Sequence, residues 1–161
     1  MLPAVTAVAS AQANLTQLVL AQVQRLLVYV ATYPNNVNVY NKSDMILRVQ
    51  LDASYLSRSN SRSVAGGLAY LVNKDASHPK INGSVYEFSS IIDVVIASAA
   101  EADYTALFCT GQLAGGFRTI LEARGHAKPP ALMLSDNPCA LGLSNDTVKM
   151  RRSKSIDVRY H

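Results

Sequence analysis

Residues 45–52 read Met-Ile-Leu-Arg-Val-Gln-Leu-Asp, and this stretch decides the fold. Val49 and Leu51 fall on one face of an extended strand, with polar residues on the other, because strand side chains alternate between faces. Strand-like apolar patterns recur at residues 64–72 and 84–90. Gly66-Gly67 lies inside the first of these two, which predicts a bulge or a close backbone approach. The sequence therefore predicts three consecutive strands.

A helix is expected after the three strands, over residues 99–123. Ser98 is a good N-cap, and Glu101 lies three residues later, which is the spacing of a capping box. A short buried strand is expected at residues 131–134, and Asp136 or Asn137 is expected to cap a short helix after it. Three strands before the first core helix favour an antiparallel meander with a helix packed on it, followed by a parallel strand. The predicted class is therefore α/β with a mixed sheet.

The N-terminal region and the loops follow from the same kinds of signal. The helical period of the apolar residues predicts a helix over residues 5–33, and Asn14 is a possible cap for a shorter core helix. A short strand is expected at residues 36–40, and a serine-rich loop at residues 57–63. The basic C-terminal segment is expected to be helical from Ser153 onward.

The composition is that of a globular domain with a core and some excess length. The chain has 161 residues, of which 49% are hydrophobic and 16% charged, and its net charge is +4. This mildly basic balance is compatible with an anionic partner but does not require one. Cys109 and Cys139 lack metal-ligand spacing and are predicted to be reduced, buried thiols. No membrane span and no secretion signal are expected.

Three carboxylates occupy similar positions along the predicted elements. Asp52 and Asp136 each follow an apolar run, and Glu101 lies in the first turn of the long helix. Strand ends and a helix start can converge on one edge of a sheet, so we expect these acids to be buried within a few ångströms of one another. Such a cluster suits Mg²⁺, which takes oxygen ligands. Taken singly, each acid also has an ordinary role in a turn or a helix cap.

The other charged residues are interpreted from their neighbours in the sequence. Asp103 is two residues from Glu101, points to a different face of the helix and is predicted to be solvated. The basic C-terminal cluster is either a solvated helix face or a phosphate track. The candidates for nucleic-acid contacts are Arg58, Arg62, Asn137, Arg151, Arg152, Lys154 and Arg159. No histidine pair has zinc spacing, and no glycine-rich phosphate-binding loop is present.

Five segments carry a resemblance to a known family. They are Leu-Asp-Ala-Ser-Tyr at 51–55, Ser-Arg-Ser-Val-Ala-Gly-Gly at 61–67, Ser-Ala-Ala-Glu-Ala-Asp-Tyr-Thr-Ala-Leu at 98–107, Ser-Asp-Asn-Pro-Cys-Ala at 135–140 and Arg-Arg-Ser-Lys-Ser-Ile-Asp-Val-Arg-Tyr-His at 151–161. Together they resemble the ribonuclease H domain of copia-type retrotransposon polyproteins, over roughly residues 20–161. Residues 24–30 resemble the last helix of the reverse-transcriptase part that precedes this domain.

The resemblance implies a ribonuclease H-like fold and hydrolysis of the RNA strand of an RNA/DNA hybrid during reverse transcription. It implies two Mg²⁺ ions, which Mn²⁺ can replace, with Asp52, Glu101 and Asp136 as catalytic, metal-binding acids. One metal would activate water, and the other would stabilise the leaving 3′ oxygen. The implied partners are the hybrid, recognised by shape and its 2′-hydroxyls, and the remainder of the polyprotein. The implied location is the cytoplasm, in a virus-like particle, or the nucleus.

The same resemblance divides the chain and leaves alternatives open. Residues 1–42 would be an N-terminal helix and connection segment, and residues 43–161 a ribonuclease H-like domain without its last strand, last helix and fourth acid. One alternative is a catalytically inactive retroelement remnant that at most binds nucleic acid. A lesser alternative is a receiver-like domain that binds one Mg²⁺ for phosphoryl signalling, although receivers alternate strand and helix from the start.

Overall fold

The computed structural model describes residues 1–74, 82–126, 129–145 and 147. The chain forms two compact units, Met1–Val39 and Tyr40–His161. The main elements are α1 (Leu2–Ser10), α2 (Gln17–Thr32), β1 (Ile46–Arg58), β2 (Arg62–Val72), β3 (Ser84–Ile91), α3 (Ala99–Ala123), β4 (Leu132–Leu134) and α4 (Pro138–Ser144). The assignment of the first unit to a reverse-transcriptase part, with a boundary after residue 42, stays a prediction.

The first unit contains two helices where the sequence predicted a single one over residues 5–33. Residues 11–14 form a turn, in which the Asn14 amide donates to the Ala11 carbonyl. Thr16 rather than Asn14 caps α2, because its hydroxyl accepts a hydrogen bond from the Val19 amide at 3.3 Å. The single helix was wrong because a continuous apolar period does not reveal a capped restart within it.

The predicted strand at residues 36–40 does not form, although all five residues are described. In the second unit, the backbone just after this segment is held by side chains instead of a strand ladder. The Asn41 amide donates to Asn82 Oδ1 at 2.7 Å, and the Tyr40 hydroxyl donates to the Ser84 carbonyl.

The second unit is built on a four-stranded mixed sheet in the order β3-β2-β1-β4. The pairs β1–β2 and β2–β3 are antiparallel, and β4 lies parallel to β1. This confirms the predicted meander followed by a parallel strand. Receivers alternate strand and helix, so the antiparallel meander argues against the receiver-like alternative.

The turn between β1 and β2 is shorter than the predicted loop at residues 57–63, because both strands extend into that range. Only residues 59–61 separate the strands, as a short 3₁₀ turn. The ladder shifts register between Ser54 and Arg58, and Leu56 adopts a left-handed φ of 49° there. The buried Ser63 hydroxyl accepts the Leu56 amide proton at 3.0 Å, so the irregular residue keeps a hydrogen-bond partner.

Gly67 lies where β2 approaches β3 closely, as the Gly66-Gly67 pair predicted. A Cβ atom at this position would lie 2.6 Å from Phe88 Cε1 and 3.2 Å from the Gln50 carbonyl oxygen. The register shift between β2 and β3 falls elsewhere, between Ala69 and Tyr70. Glycine is therefore required at position 67 because a side chain would not fit there, and not because the strand has a bulge.

Helix α3 lies against β1 and β2, and the core is formed between them. The inward-facing residues of β1, Leu47, Val49 and Leu51, are all buried. Leu51 belongs to a cluster with Ala102 and Ala106 of α3, and the clusters together fill the space between helix and sheet. The predicted helix bounds at 99 and 123 are confirmed, as is the Ser98 cap, whose hydroxyl accepts from the Glu101 amide.

The remaining described elements follow their predicted positions. Strand β4 occupies three of the four predicted residues, and Asn137 caps α4. The predicted burial of this strand was wrong, because Leu132 is exposed and Met133 and Leu134 are only half-buried. The predicted buried thiols were wrong, because Cys109 and Cys139 are both exposed. Partial burial of its sulfur still raises the pKa of the Cys109 thiol. The predicted helix from Ser153 onward lies outside the described residues.

Candidate active site

Asp136 lies two residues after the end of β4, and Asp52 lies within β1, two residues past the last β1 residue that pairs with β4. The sequence predicted that the first strand ends at Asp52, which was wrong, because β1 continues to Arg58. The register of β1 and β4 pairs Arg48 with Leu132 and Gln50 with Leu134. The same offset, continued two residues further, brings Asp52 level with Asp136. Both side chains are exposed, which contradicts the expected burial of these acids. Strand order and register therefore place two of the three predicted carboxylates just beyond the paired part of β1 and β4.

A third carboxylate, Asp103, is held beside these two. It lies in the second turn of α3 and is 6% exposed, so the prediction that it is solvated was wrong. Its Oδ1 accepts the Ala53 amide proton at 3.1 Å, and its Oδ2 accepts a proton from Asn137 Nδ2 at 2.6 Å. Ala53 follows Asp52, and Asn137 follows Asp136. Asp103 is thus tied to the residue after each of the other two acids.

The electrostatics of Asp103 reflect this crowded position. Burial raises the pKa of its carboxyl above the ordinary value, and the negative charges of Asp52 and Asp136 raise it further. The hydrogen bonds from Asn137 and from the Ala53 amide lower the pKa and partly offset these effects. A carboxylate in this setting is costly when ionised, and a cation beside it would reduce that cost.

The Glu101 side chain, in contrast, accepts a backbone hydrogen bond at the start of α3. Its Oε2 accepts the Ala97 amide proton at 2.8 Å, while its own amide donates to the Ser98 hydroxyl at 3.1 Å. Its side chain is 2% exposed. Residues two apart on a helix are separated by roughly 200° around its axis, so Glu101 and Asp103 point in opposite directions. The predicted role of Glu101 as a metal ligand stays a prediction.

The capping box is the signal that could have identified Asp103 from the sequence. Ser98 and Glu101 have the spacing at which the glutamate serves the helix terminus. Once that carboxylate is assigned to the cap, Asp103 is the next acid on the helix. Its burial is not visible in the sequence, because its partners lie 50 and 34 residues away.

The described cationic candidates lie on the β1–β2 hairpin. Arg58 and Arg62 face each other directly across the ladder, where β1 ends and β2 begins. Directly opposed residues lie on the same face of a hairpin, so both arginines can contact one polyanion. The other candidates, Arg151, Arg152, Lys154 and Arg159, lie outside the described residues.

The Asn137 side chain makes three hydrogen bonds with described residues. Its Oδ1 accepts from the Cys139 and Ala140 amides, and its Nδ2 donates to Asp103. A primary amide has two N–H donors, so one Nδ2 proton is left for another partner. Its predicted contact with nucleic acid stays a prediction, and most of its hydrogen-bonding capacity serves the protein.

The donor set suits a hard divalent cation by its chemistry. Asp52, Asp103 and Asp136 offer carboxylate oxygens, which Mg²⁺ and Mn²⁺ prefer. Each Asp103 oxygen accepts one hydrogen bond and retains a further lone pair. Among the residues that the structure describes, however, no three histidine, cysteine or acidic side chains are arranged as a ready metal site.

The second unit is an α/β domain whose mixed four-stranded sheet and flanking helices are consistent with a ribonuclease H-like fold. A 122-residue stretch, 76% of the chain, is 26% identical to the retrovirus-related Pol polyprotein from transposon TNT 1-94 of Nicotiana tabacum. The chain spans 9% of the length of that polyprotein. This similarity supports a retrotransposon-related origin.

The other comparisons add no further relative. No family model matches the chain, and no solved structure matches it. In the described part of the chain, no helix is both long enough and apolar enough to cross a membrane.

Proposed function

We propose that this chain is a ribonuclease H that hydrolyses the RNA strand of RNA/DNA hybrids as part of a retrotransposon polyprotein. The observation that carries the proposal is the Asp103 carboxylate, which hydrogen bonds from the Ala53 amide and from Asn137 hold beside Asp52 and Asp136. The transposon polyprotein similarity and the ribonuclease H-like topology support the same function.

In this proposal Asp52, Asp103 and Asp136 hold two Mg²⁺ ions, and Asp103 takes the part that the sequence assigned to Glu101. The bound ions would activate a water and stabilise the leaving 3′ oxygen of the cleaved phosphodiester. The acids act as ligands and not as proton carriers. The Ala53 amide and Asn137 fix the direction of the Asp103 carboxylate, so α3 contributes its acid beside those of β1 and of the segment after β4.

The hairpin arginines would bind the backbone of the hybrid. Phosphates would contact Arg58 and Arg62, which are paired across the hairpin, and such contacts position a nucleic acid without reading its sequence. Selection for a hybrid would then depend on helix shape and on the 2′-hydroxyls of the RNA strand. The predicted contacts from the basic C-terminal segment are part of this proposal.

The proposal is tested with a labelled RNA/DNA hybrid in Mg²⁺, in Mn²⁺ and in EDTA. We expect metal-dependent cleavage of the RNA strand by the wild-type chain, and its loss in Asp52→Asn and in Asp103→Asn, because each change removes a charged ligand. Asp93→Asn is the matched control, since Asp93 is exposed and lies outside the acid cluster. Cleavage that persists in the Asp52 variant would show that another site or a contaminant is responsible.

Glu101→Gln distinguishes the two candidate helix acids. If Asp103 is the ligand, this variant should keep its cleavage activity and lose up to about 1 kcal/mol of stability from the weakened cap. Loss of cleavage in a folded Glu101→Gln chain, with activity retained in Asp103→Asn, would return the role to Glu101.

A second candidate function is a retroelement remnant that binds nucleic acid without cleaving it. The absence of a ready metal group among the described residues favours this candidate. Hybrid binding by a folded chain, with no cleavage in either metal, would be the result expected from it.

A further inference from the structure

We propose that the Asn82-Gly83 pair is a deamidation site, at which conversion of Asn82 to aspartate releases residues 40–44 from the connection between β2 and β3. These five residues form a strap that precedes β1 and is hydrogen-bonded to residues 73–74 and 82–84. The strap belongs to the second unit, and its release requires neither a metal ion nor a nucleic acid.

Hydrogen bonds hold the strap at both of its ends. At the first end, the Tyr40 hydroxyl donates to the Ser84 carbonyl at 2.9 Å. At the other end, the Asp44 amide donates to Asn73 Oδ1 at 3.1 Å, and Asp44 Oδ2 accepts the Lys74 amide proton at 3.0 Å. The strap is thus fixed to the chain that follows β2 and to the start of β3.

Asn82 holds the strap between these ends with all the hydrogen-bonding groups of its side chain. Its Nδ2 donates to the Asn41 carbonyl and to the Leu71 carbonyl, each at 3.0 Å. Its Oδ1 accepts from the Asn41 amide at 2.7 Å and from the Gly83 amide at 3.0 Å. An amide turned over would face donors with donors and carbonyls with its oxygen, so this orientation is the favourable one.

Asn82 is the only asparagine in the sequence that is followed by glycine. In such a pair, the glycine nitrogen attacks the asparagine Cγ, because no side chain hinders its approach. A bond forms between that nitrogen and Cγ, the Cγ–Nδ2 bond breaks, and ammonia leaves with the proton of the attacking nitrogen. Water then opens the cyclic imide at either carbonyl, which gives aspartate or its isomer with the chain routed through the side chain. Water is the only co-reactant.

The fold brings the reacting groups together and also restrains them. The Gly83 nitrogen lies 3.0 Å from Asn82 Oδ1, so the amide group that it would attack is already beside it. The attack on Cγ, however, requires the amide to leave its present hydrogen bonds, which depends on local opening of the strap. A Cβ atom at Gly83 would lie 2.7 Å from Tyr40 Cε1, so the packing of the strap itself requires glycine at the reactive position.

Aspartate at position 82 would not hold the strap closed. An ionised carboxylate can still accept from the Asn41 and Gly83 amides, but it has no proton to donate. The Asn41 and Leu71 carbonyls would lose their donor and would face an oxygen in its place, which destabilises the closed strap. Aspartate does not return to asparagine in water, so the release is permanent.

Limited trypsin digestion of the full chain reports the release, because Lys42 is an exposed residue within the strap. We expect cleavage after Lys42 to be about tenfold faster in Asn82→Asp, since proteolysis follows the population of the opened segment and two hydrogen bonds are lost. Hydrogen exchange of the Asp44 amide should accelerate as well. Asn36→Asp is the matched control, because it adds the same charge at an exposed asparagine outside the strap. It should be digested like the wild type.

The conversion itself is measured in the wild-type chain, kept at mildly alkaline pH in water enriched in heavy oxygen, which labels each converted asparagine. Peptide mass analysis should find the label at Asn82 before the other asparagines. Tyr40→Phe removes the hydroxyl that donates to the Ser84 carbonyl, so Asn82 should convert faster in this variant. Conversion in denaturant should be faster still.

The outcomes decide the two parts of the proposal separately. Wild-type digestion and Asp44 exchange in a folded Asn82→Asp chain would show that aspartate does not release the strap. Label at other asparagines before Asn82, or a rate unchanged in Tyr40→Phe, would overturn the site. If Asn82→Asp does not fold, the partly converted wild-type chain is digested instead. Faster cleavage of its labelled fraction after Lys42 would support the proposal, and equal cleavage of both fractions would overturn it.

Discussion

Asp103 is an acid that the fold holds where ionisation is unfavourable. Burial and the nearby charges of Asp52 and Asp136 raise the pKa of its carboxyl, although Asn137 and the Ala53 amide lower it in part. In the unfolded chain the same carboxyl has its ordinary pKa. The folded state therefore binds this proton more tightly than the unfolded state does.

This difference predicts how stability depends on pH in the absence of metal. Between the unfolded and the raised folded pKa of Asp103, the folded chain carries more protons, so the free energy of unfolding falls as pH rises through that window. Above the folded pKa of Asp103, the free energy of unfolding has lost the whole of this contribution. Urea unfolding in EDTA from about pH 4 to pH 7 measures it. The decline should be shallower in Asp103→Asn, and equal slopes in both chains would contradict the assigned environment.

The same residue shows where sequence reasoning reached its limit. The pattern around Asp52 and Asp136 indicated two acids at strand ends, because an apolar run followed by a carboxylate is a local signal. Asp103 gave no such signal, since its neighbours in space are distant in sequence. Glu101 and Asp103 are two residues apart on α3 and therefore point in different directions. Only the packing of the helix decides which of them lies beside the other acids.

At the scale of single elements, the interior glycines of α3 lower its stability. A Cβ atom added at Gly116 would have nothing within 4 Å of it, so the helix has open space at this position. Gly116→Ala should raise the free energy of unfolding by about 0.5–1 kcal/mol, because alanine loses less backbone entropy on folding. Chemical denaturation measures the change.

Gly67→Ala is the matched comparison for this glycine prediction. The same methyl group at Gly67 would lie 2.6 Å from Phe88 Cε1, so the ring must move. The expected result is a loss of about 1–3 kcal/mol, as for other overpacked sites. A destabilised Gly116→Ala chain, or a Gly67→Ala chain of wild-type stability, would contradict the packing at these two positions.

Elements with strong local signals were the ones predicted well. Alternation identified the start of β1, apolar patterns identified β2 and β3, and the Ser98 capping box fixed the start of α3 to the residue. The predicted end of the first strand at Asp52 was wrong, because β1 continues to Arg58. The break between α1 and α2 was missed, because the apolar period continues across it. The strand predicted at residues 36–40 was wrong, and the backbone that follows it, at Asn41, is hydrogen-bonded by the Asn82 side chain.

At the scale of the whole molecule, the mild positive charge predicts salt-dependent binding of a hybrid. Each phosphate contact that is lost should lower the slope of log affinity against log salt by about one. Arg62→Gln should therefore weaken hybrid binding to the same degree for different sequences and flatten this slope. Filter binding or fluorescence anisotropy at several salt concentrations measures both.

Arg118→Gln is the control for this charge prediction. Arg118 lies 3.8 Å from Glu122 on α3, one helical turn away, so its charge already has a partner. Its loss should leave the salt dependence close to that of the wild type. An effect of Arg118→Gln equal to that of Arg62→Gln would indicate a response to net charge and no site on the hairpin.

The two hydrogen bonds of Asp103 also determine when the candidate site can form during folding. They join residues 50 and 34 positions apart, one partner on β1 and the other at the cap of α4. Contacts so distant along the chain close large loops and form slowly compared with helix or hairpin contacts. The hairpin of β1 and β2 can form early, but the Asp103 carboxylate reaches its final orientation only after α4 has docked. A nascent chain that has not yet extended past residue 137 would carry the sheet without a completed acid site.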